Sequence, residues 1–100
     1  MEKQRLLKMG VVEQGLMVKA LDYTQENIQP EQAEKLQMLL DRTRQAPKGK
    51  LYLNDEEFDC AVQAISSIRN DYLSAGKSSG GFDRVLLKLL NSKYRRAPAR

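Results

Sequence analysis

The sequence predicts an all-α protein, a small bundle of about four helices. Three observations lead there. Apolar residues recur at three-and-four spacing in four separate segments, approximately 2–24, 30–45, 55–75 and 82–95. The residues between them are mostly Gln, Glu, Lys and Arg, which favour helix, and the apolar set is rich in Leu and Met. The segments are also punctuated by start and stop residues. No convincing strand competes with them. Leu51-Tyr52-Leu53 reads as a short extended piece, too short to build a sheet alone.

The first segment runs from about Glu2 to Thr24. Leu7, Val11, Val18 and Leu21 form its stripe, widened by Leu6, Met17 and Ala20. Gly10 and Gly15 interrupt it, each at a cost of about 1 kcal/mol relative to Ala. They mark either a break, at Gly10 or near Gly15, or a place where another helix comes close. The second segment starts at Pro30, which suits a first turn, after Glu26-Asn27-Ile28-Gln29. Glu31 and Glu34 favour the positive end of its dipole, and Arg42 and Arg44 the negative end. Leu36, Leu39, Leu40 and Thr43 make its buried stripe, and Ala46-Pro47-Lys48-Gly49 stops it.

The third segment carries the clearest signature. Asn54 is a favoured N-cap, Glu57 is at the capping-box position, and Leu53 and Phe58 are spaced as a hydrophobic staple. Phe58, Ala61, Val62, Ile65, Ile68, Arg69 and Tyr72 share one face, and Gly76 suits the C-terminal cap. Lys77-Ser78-Ser79-Gly80-Gly81 reads as a flexible linker. The fourth segment then places Phe82, Val85, Leu86, Leu89 and Leu90 on one side and Arg84, Lys88, Asn91 and Arg95 on the other. Residues 1–95 make a single helical domain, and 96–100 a short basic tail.

Charge is uneven along this chain. Residues 1–81 hold 11 Lys and Arg against 12 Asp and Glu, whereas residues 82–100 hold six basic residues and one acid. A nearly neutral body thus carries one cationic end, suited to an acidic partner. Arg84, Lys88, Lys93, Tyr94, Arg95 and Arg96 are the candidate binding residues, with Tyr94 placed to stack on a base.

Other chemistry is excluded by residue type. Histidine is absent, which removes the commonest general base and zinc ligand. The single Cys60 can form neither an internal disulfide nor a redox pair, and its position beside an apolar stripe suits packing. Ala75-Gly76-Lys77-Ser78-Ser79 is not a phosphate-binding loop, because Asp71 stands where the motif needs glycine. The acids at 55, 56, 57 and 59 begin a helix and read as dipole partners. No catalytic residue, metal or cofactor is therefore expected, and the chain is not read as an enzyme. No apolar run has the length of a signal peptide or a membrane span, so a cytoplasmic protein with no membrane partner is expected.

Two functions fit this reading. The first is a small interaction protein, a regulator or inhibitor that occupies an acidic protein surface. Its size and composition suit an accessory protein of a phage or mobile element. The second is a nucleic-acid-binding module, for DNA or RNA, with the basic fourth helix on phosphates. Met38 and Leu87 fall beside the apolar stripes and suggest a homodimer.

Overall fold

The computed structural model describes residues 3–26 and 30–96. Its elements are β1 (Lys3–Lys8), α1 (Val11–Gln25), α2 (Pro30–Arg44), a 3-10 turn (Pro47–Gly49), β2 (Lys50–Leu53), α3 (Asp55–Ser74), α4 (Gly80–Leu90) and β3 (Lys93–Arg96). The protein is mostly helical with four helices, as the apolar spacing predicts. It also contains a three-stranded antiparallel sheet, ordered β2-β1-β3, that the helical periods conceal.

Both terminal helix assignments need correction. Residues 3–8 are a strand, and the first helix starts only at Val11. Leu6 and Leu7 fit a helical stripe in sequence, but in the sheet they point to opposite faces. Leu7 is buried against Leu51, its cross-strand partner. The helical stripe of α1 is consequently Glu13, Met17, Ala20 and Leu21, and Val11 is 89% exposed rather than in the core. At the other end, α4 stops at Leu90 and residues 93–96 pair with β1. Arg96 therefore belongs to the sheet, while the rest of the expected tail, 97–100, lies outside the described residues. So do positions 27–29 of the expected lead into α2.

The expected break falls at Gly10, which caps α1 just after β1, and not at Gly15. A side chain at Gly15 would meet nothing within 4 Å, and α1 runs through it unbroken. The close approach of two helices is at Gly81, where a Cβ would lie 2.7 Å from Leu16 Cδ1. Gly49 matters most. It has φ +73°, and a Cβ there would lie 2.0 Å from the carbonyl oxygen of Met9. That closeness lets the Met9 N–H donate to Gly49 O at 2.9 Å, extending the contact between the β1 and β2 ends.

The α3 cap is as its sequence implies. Asn54 Oδ1 accepts from the Glu57 N–H at 2.7 Å, and Glu57 Oε1 accepts from the Asn54 N–H at 2.9 Å. The far end closes on Gly76, at φ +73°, with the Lys77 N–H bonded to Tyr72 O and the Gly76 N–H to Leu73 O. These are the two bonds of a Schellman cap. The segment that reads as a linker is shorter than expected, because α4 begins at Gly80 and Ser79 is buried. Arg69 pairs with Asp83 across the α3–α4 hairpin, and Tyr72 meets Phe82 edge-on at 5.0 Å.

The helices cover one face of the sheet. Leu7, Leu51 and Leu53 project from that face into a core with Met17, Leu21, Leu36, Leu40, Ile65, Ile68, Val85 and Leu89. Val18, Phe58, Val62 and Leu86 pack at its margin. α1 is central and touches α2, α3 and α4.

Candidate functional site

Strand alternation sends every second side chain of the sheet away from the core. Since Leu7, Leu51 and Leu53 point inward, Leu6, Lys8, Lys50 and Tyr52 point outward. The pairing sets their order. Leu6 lies opposite Tyr52 on one side and Lys93 on the other, while Lys8 lies opposite Lys50. Lys8, Lys50 and Lys93 are exposed, and Leu6 and Tyr52 are half-buried among them. Like charges placed directly across a ladder destabilise it by several tenths of a kcal/mol. This face therefore spends stability to gather positive charge.

Two shallow grooves flank the sheet. One, of about 410 Å³, lies beside β1, β3 and α4, and is lined by Lys8, Lys88 and Lys93 with Leu6 and Leu87. The other, of about 420 Å³, lies beside β2, and is lined by Arg42, Lys48 and Lys50 with Pro47 and Tyr52. Among the described residues, no carboxylate lines either groove. Lys8, Lys48, Lys50 and Lys93 have no ion-pair partner among the described residues. A third groove, about 450 Å³ between α2 and α3, has the opposite character. Glu31, Glu56, Glu57 and Asp59 line it with Lys35, over Leu36, Leu39 and Cys60. Burial, then the nearby Glu56 and Glu57 charges, push the Cys60 thiol up, so it is a poor nucleophile.

The six residues expected to bind are not on one helix face. Arg84 and Lys88 are on α4, whereas Lys93, Tyr94, Arg95 and Arg96 belong to β3. Arg95 and Arg96 pair through their backbone with Gln4 and Lys3. Lys88 is committed to the fold, with its Nζ 2.7 Å from Glu13 Oε1. Tyr94 donates to Asp55 Oδ1 at 2.8 Å, and its ring lies 4.7 Å from the Arg5 guanidinium. Arg5 also lies 4.1 Å over Phe58 and donates to Ser92 O at 3.0 Å, pinning β3 to β1 and α3. Of the expected set, Lys88 and Lys93 join the grooves beside the sheet. Lys8, Lys48, Lys50 and Tyr52 join them from segments that sequence reasoning passed over. Alternation in Lys50-Leu51-Tyr52-Leu53 is the signal that could have found two of these. Met38 and Leu87, each 61% exposed, line different grooves.

Glu13 is the charged group on which this end of the fold turns. The Gly10 N–H and the Lys88 ammonium both reach its Oε1 at 2.7 Å. They hold its carboxyl below the usual 4.5. A depressed carboxylate contributes stability that is present above its unfolded value and lost as pH falls through the folded one. Asp83 adds to the same acid limb, held below 3.8 by Arg69 and Ser79. The melting temperature should therefore drop as pH falls below about 4.5, and Glu13→Gln should flatten the first part of that drop. Melting curves across an acidic pH series would check it. An unchanged profile in Glu13→Gln would remove the role given to this pair.

Among the described residues, no group of three or more His, Cys, Asp or Glu side chains is placed to hold a metal ion. No helix there is long and apolar enough to cross a membrane. Compared with known protein families, with characterised proteins and with solved structures, the chain matches none of them.

Proposed function

We propose that this protein is a non-enzymatic binding module that holds nucleic acid on the outer face of its sheet. One observation carries the reading. Two grooves, one lined by Lys8 and the other by its cross-strand partner Lys50, hold six cationic side chains and, among the described residues, no carboxylate. Arg42 and Lys88 are paired with Glu57 and Glu13, which leaves Lys8, Lys48, Lys50 and Lys93 to meet a ligand. The α2–α3 groove, by contrast, gathers Glu31, Glu56, Glu57 and Asp59. Such segregation attracts a polyanion and orients its approach. A phosphate between Lys8 and Lys50 would relieve the repulsion that the free protein bears. Lysine ammonium groups suit phosphates that vary in position, since each is a point charge on a flexible stem.

The test is anisotropy of labelled oligonucleotides over a salt series. Log affinity should fall linearly with log salt, by about 0.7 to 0.9 per phosphate contacted. Replacing Lys8, Lys50 and Lys93 with Glu should abolish binding and leave the circular dichroism spectrum unchanged. If no oligonucleotide binds at low salt, the reading fails. If polyglutamate then binds through the same three lysines, the partner is an acidic protein surface instead.

A further inference from the structure

We infer, building on the nucleic-acid reading, that the ligand is a single strand whose bases stack on Tyr52 and cover Leu6. The register puts Tyr52, Leu6 and Lys93 in one row across the three strands, with Lys50 and Lys8 beside it in the next. The charge therefore forms a rim, and the centre of the face is aromatic and aliphatic. A duplex meets a protein surface with phosphates and sugars, and its base edges are reached only by an element that enters a groove. A duplex laid on this face would set its phosphates against Leu6 and the Tyr52 ring and gain nothing from either. An unpaired strand can turn its bases inward. Every base has a flat face to lay on a tyrosine ring, so stacking of this kind tolerates any sequence. Its phosphates then fall outward, towards Lys8, Lys50 and Lys93.

The dimensions agree. Neighbouring strands lie about 4.8 Å apart, so the row from β2 to β3 spans roughly 10 Å. That is room for two or three nucleotides on the sheet. The grooves at either side, one with Lys48 and one with Lys88, give the phosphates before and after them a path.

The chain contains no tryptophan. Tyr52→Trp therefore places the chain's one tryptophan, which can be excited apart from the remaining tyrosines, at the proposed stacking position. A short single strand should quench it, and a blunt duplex of the same length should not. In anisotropy the single strand should bind about tenfold tighter than the duplex. Tyr52→Leu should cost it roughly 10- to 100-fold, with the salt slope unchanged, and Tyr52→Phe should bind like wild type. Circular dichroism would confirm that each variant is folded. Equal binding of duplex and single strand, or a folded Tyr52→Leu with wild-type affinity, would overturn the single-strand inference while leaving the nucleic-acid reading intact. Failure of both ligands to bind at low salt would instead sink the reading on which it rests.

Discussion

Gly49→Ala should lower the melting temperature by about 20 °C, the equivalent of about 4 kcal/mol in a domain of this size. Two costs combine. The backbone at Gly49 is in the left-handed region, at φ +73°, which an L side chain enters at a cost of about 1–2 kcal/mol. The added Cβ would also lie 2.0 Å from the Met9 carbonyl oxygen, which is main chain and cannot swing aside. Relief requires that the β1 and β2 ends separate, which gives up the Met9–Gly49 hydrogen bond. The neighbouring residue supplies a control. Lys48 is also left-handed, at φ 56°, but it is exposed. Lys48→Gly should be neutral or slightly stabilising, because relief of strain offsets the added freedom of the unfolded chain. Thermal melts of the two variants would check both halves of the argument. A Gly49→Ala protein that melts with wild type would mean that the strands do not come this close.

Leu53→Ala should cost about 3–4 kcal/mol. Leu53 has no exposed surface and joins three parts of the fold. It ends β2, pairs with Arg5 of β1, and immediately precedes the Asn54 cap of α3. Its truncation leaves a cavity where the sheet meets the longest helix, and neither a ladder nor a capped helix can shift to fill it. Leu90→Ala, on a side chain 55% exposed, should cost well under 1 kcal/mol and serves as the comparison. Denaturant titration would measure both. A Leu53→Ala loss no larger than that of Leu90→Ala would contradict the placement of the core.

What the sequence discloses follows from the range of the forces involved. The α3 cap, its Schellman end and the α2 stripe are written within a few residues, and all are found where the spacing puts them. β1 is different. Lys-Gln-Arg-Leu-Leu-Lys has no strand preference of its own and is extended because Lys50–Leu53 and Lys93–Arg96 pair with it from far along the chain. That pairing also redistributes the candidate residues, since Lys93, Tyr94, Arg95 and Arg96 lie on β3 and not on a helix. Counting charge along the chain drew attention to residues 82–100, where Lys88 proves to be bound to Glu13. The cations that share the outer face come from three distant segments, and only the register brings them together.

That register also fixes when the surface exists. β1 precedes its partner β3 by more than 80 residues. During synthesis every helix can form and pack while the β3 side of β1 is still an open edge. Pairings between such distant segments are slow, because loop closure precedes any gain from contact. Lys93 comes to lie beside Leu6 only when that long-range pair closes. A nascent chain released before residue 93 would keep four helices and the Lys8–Lys50 pair, yet expose an unpaired strand edge. Exposed edges of this kind invite pairing with other chains.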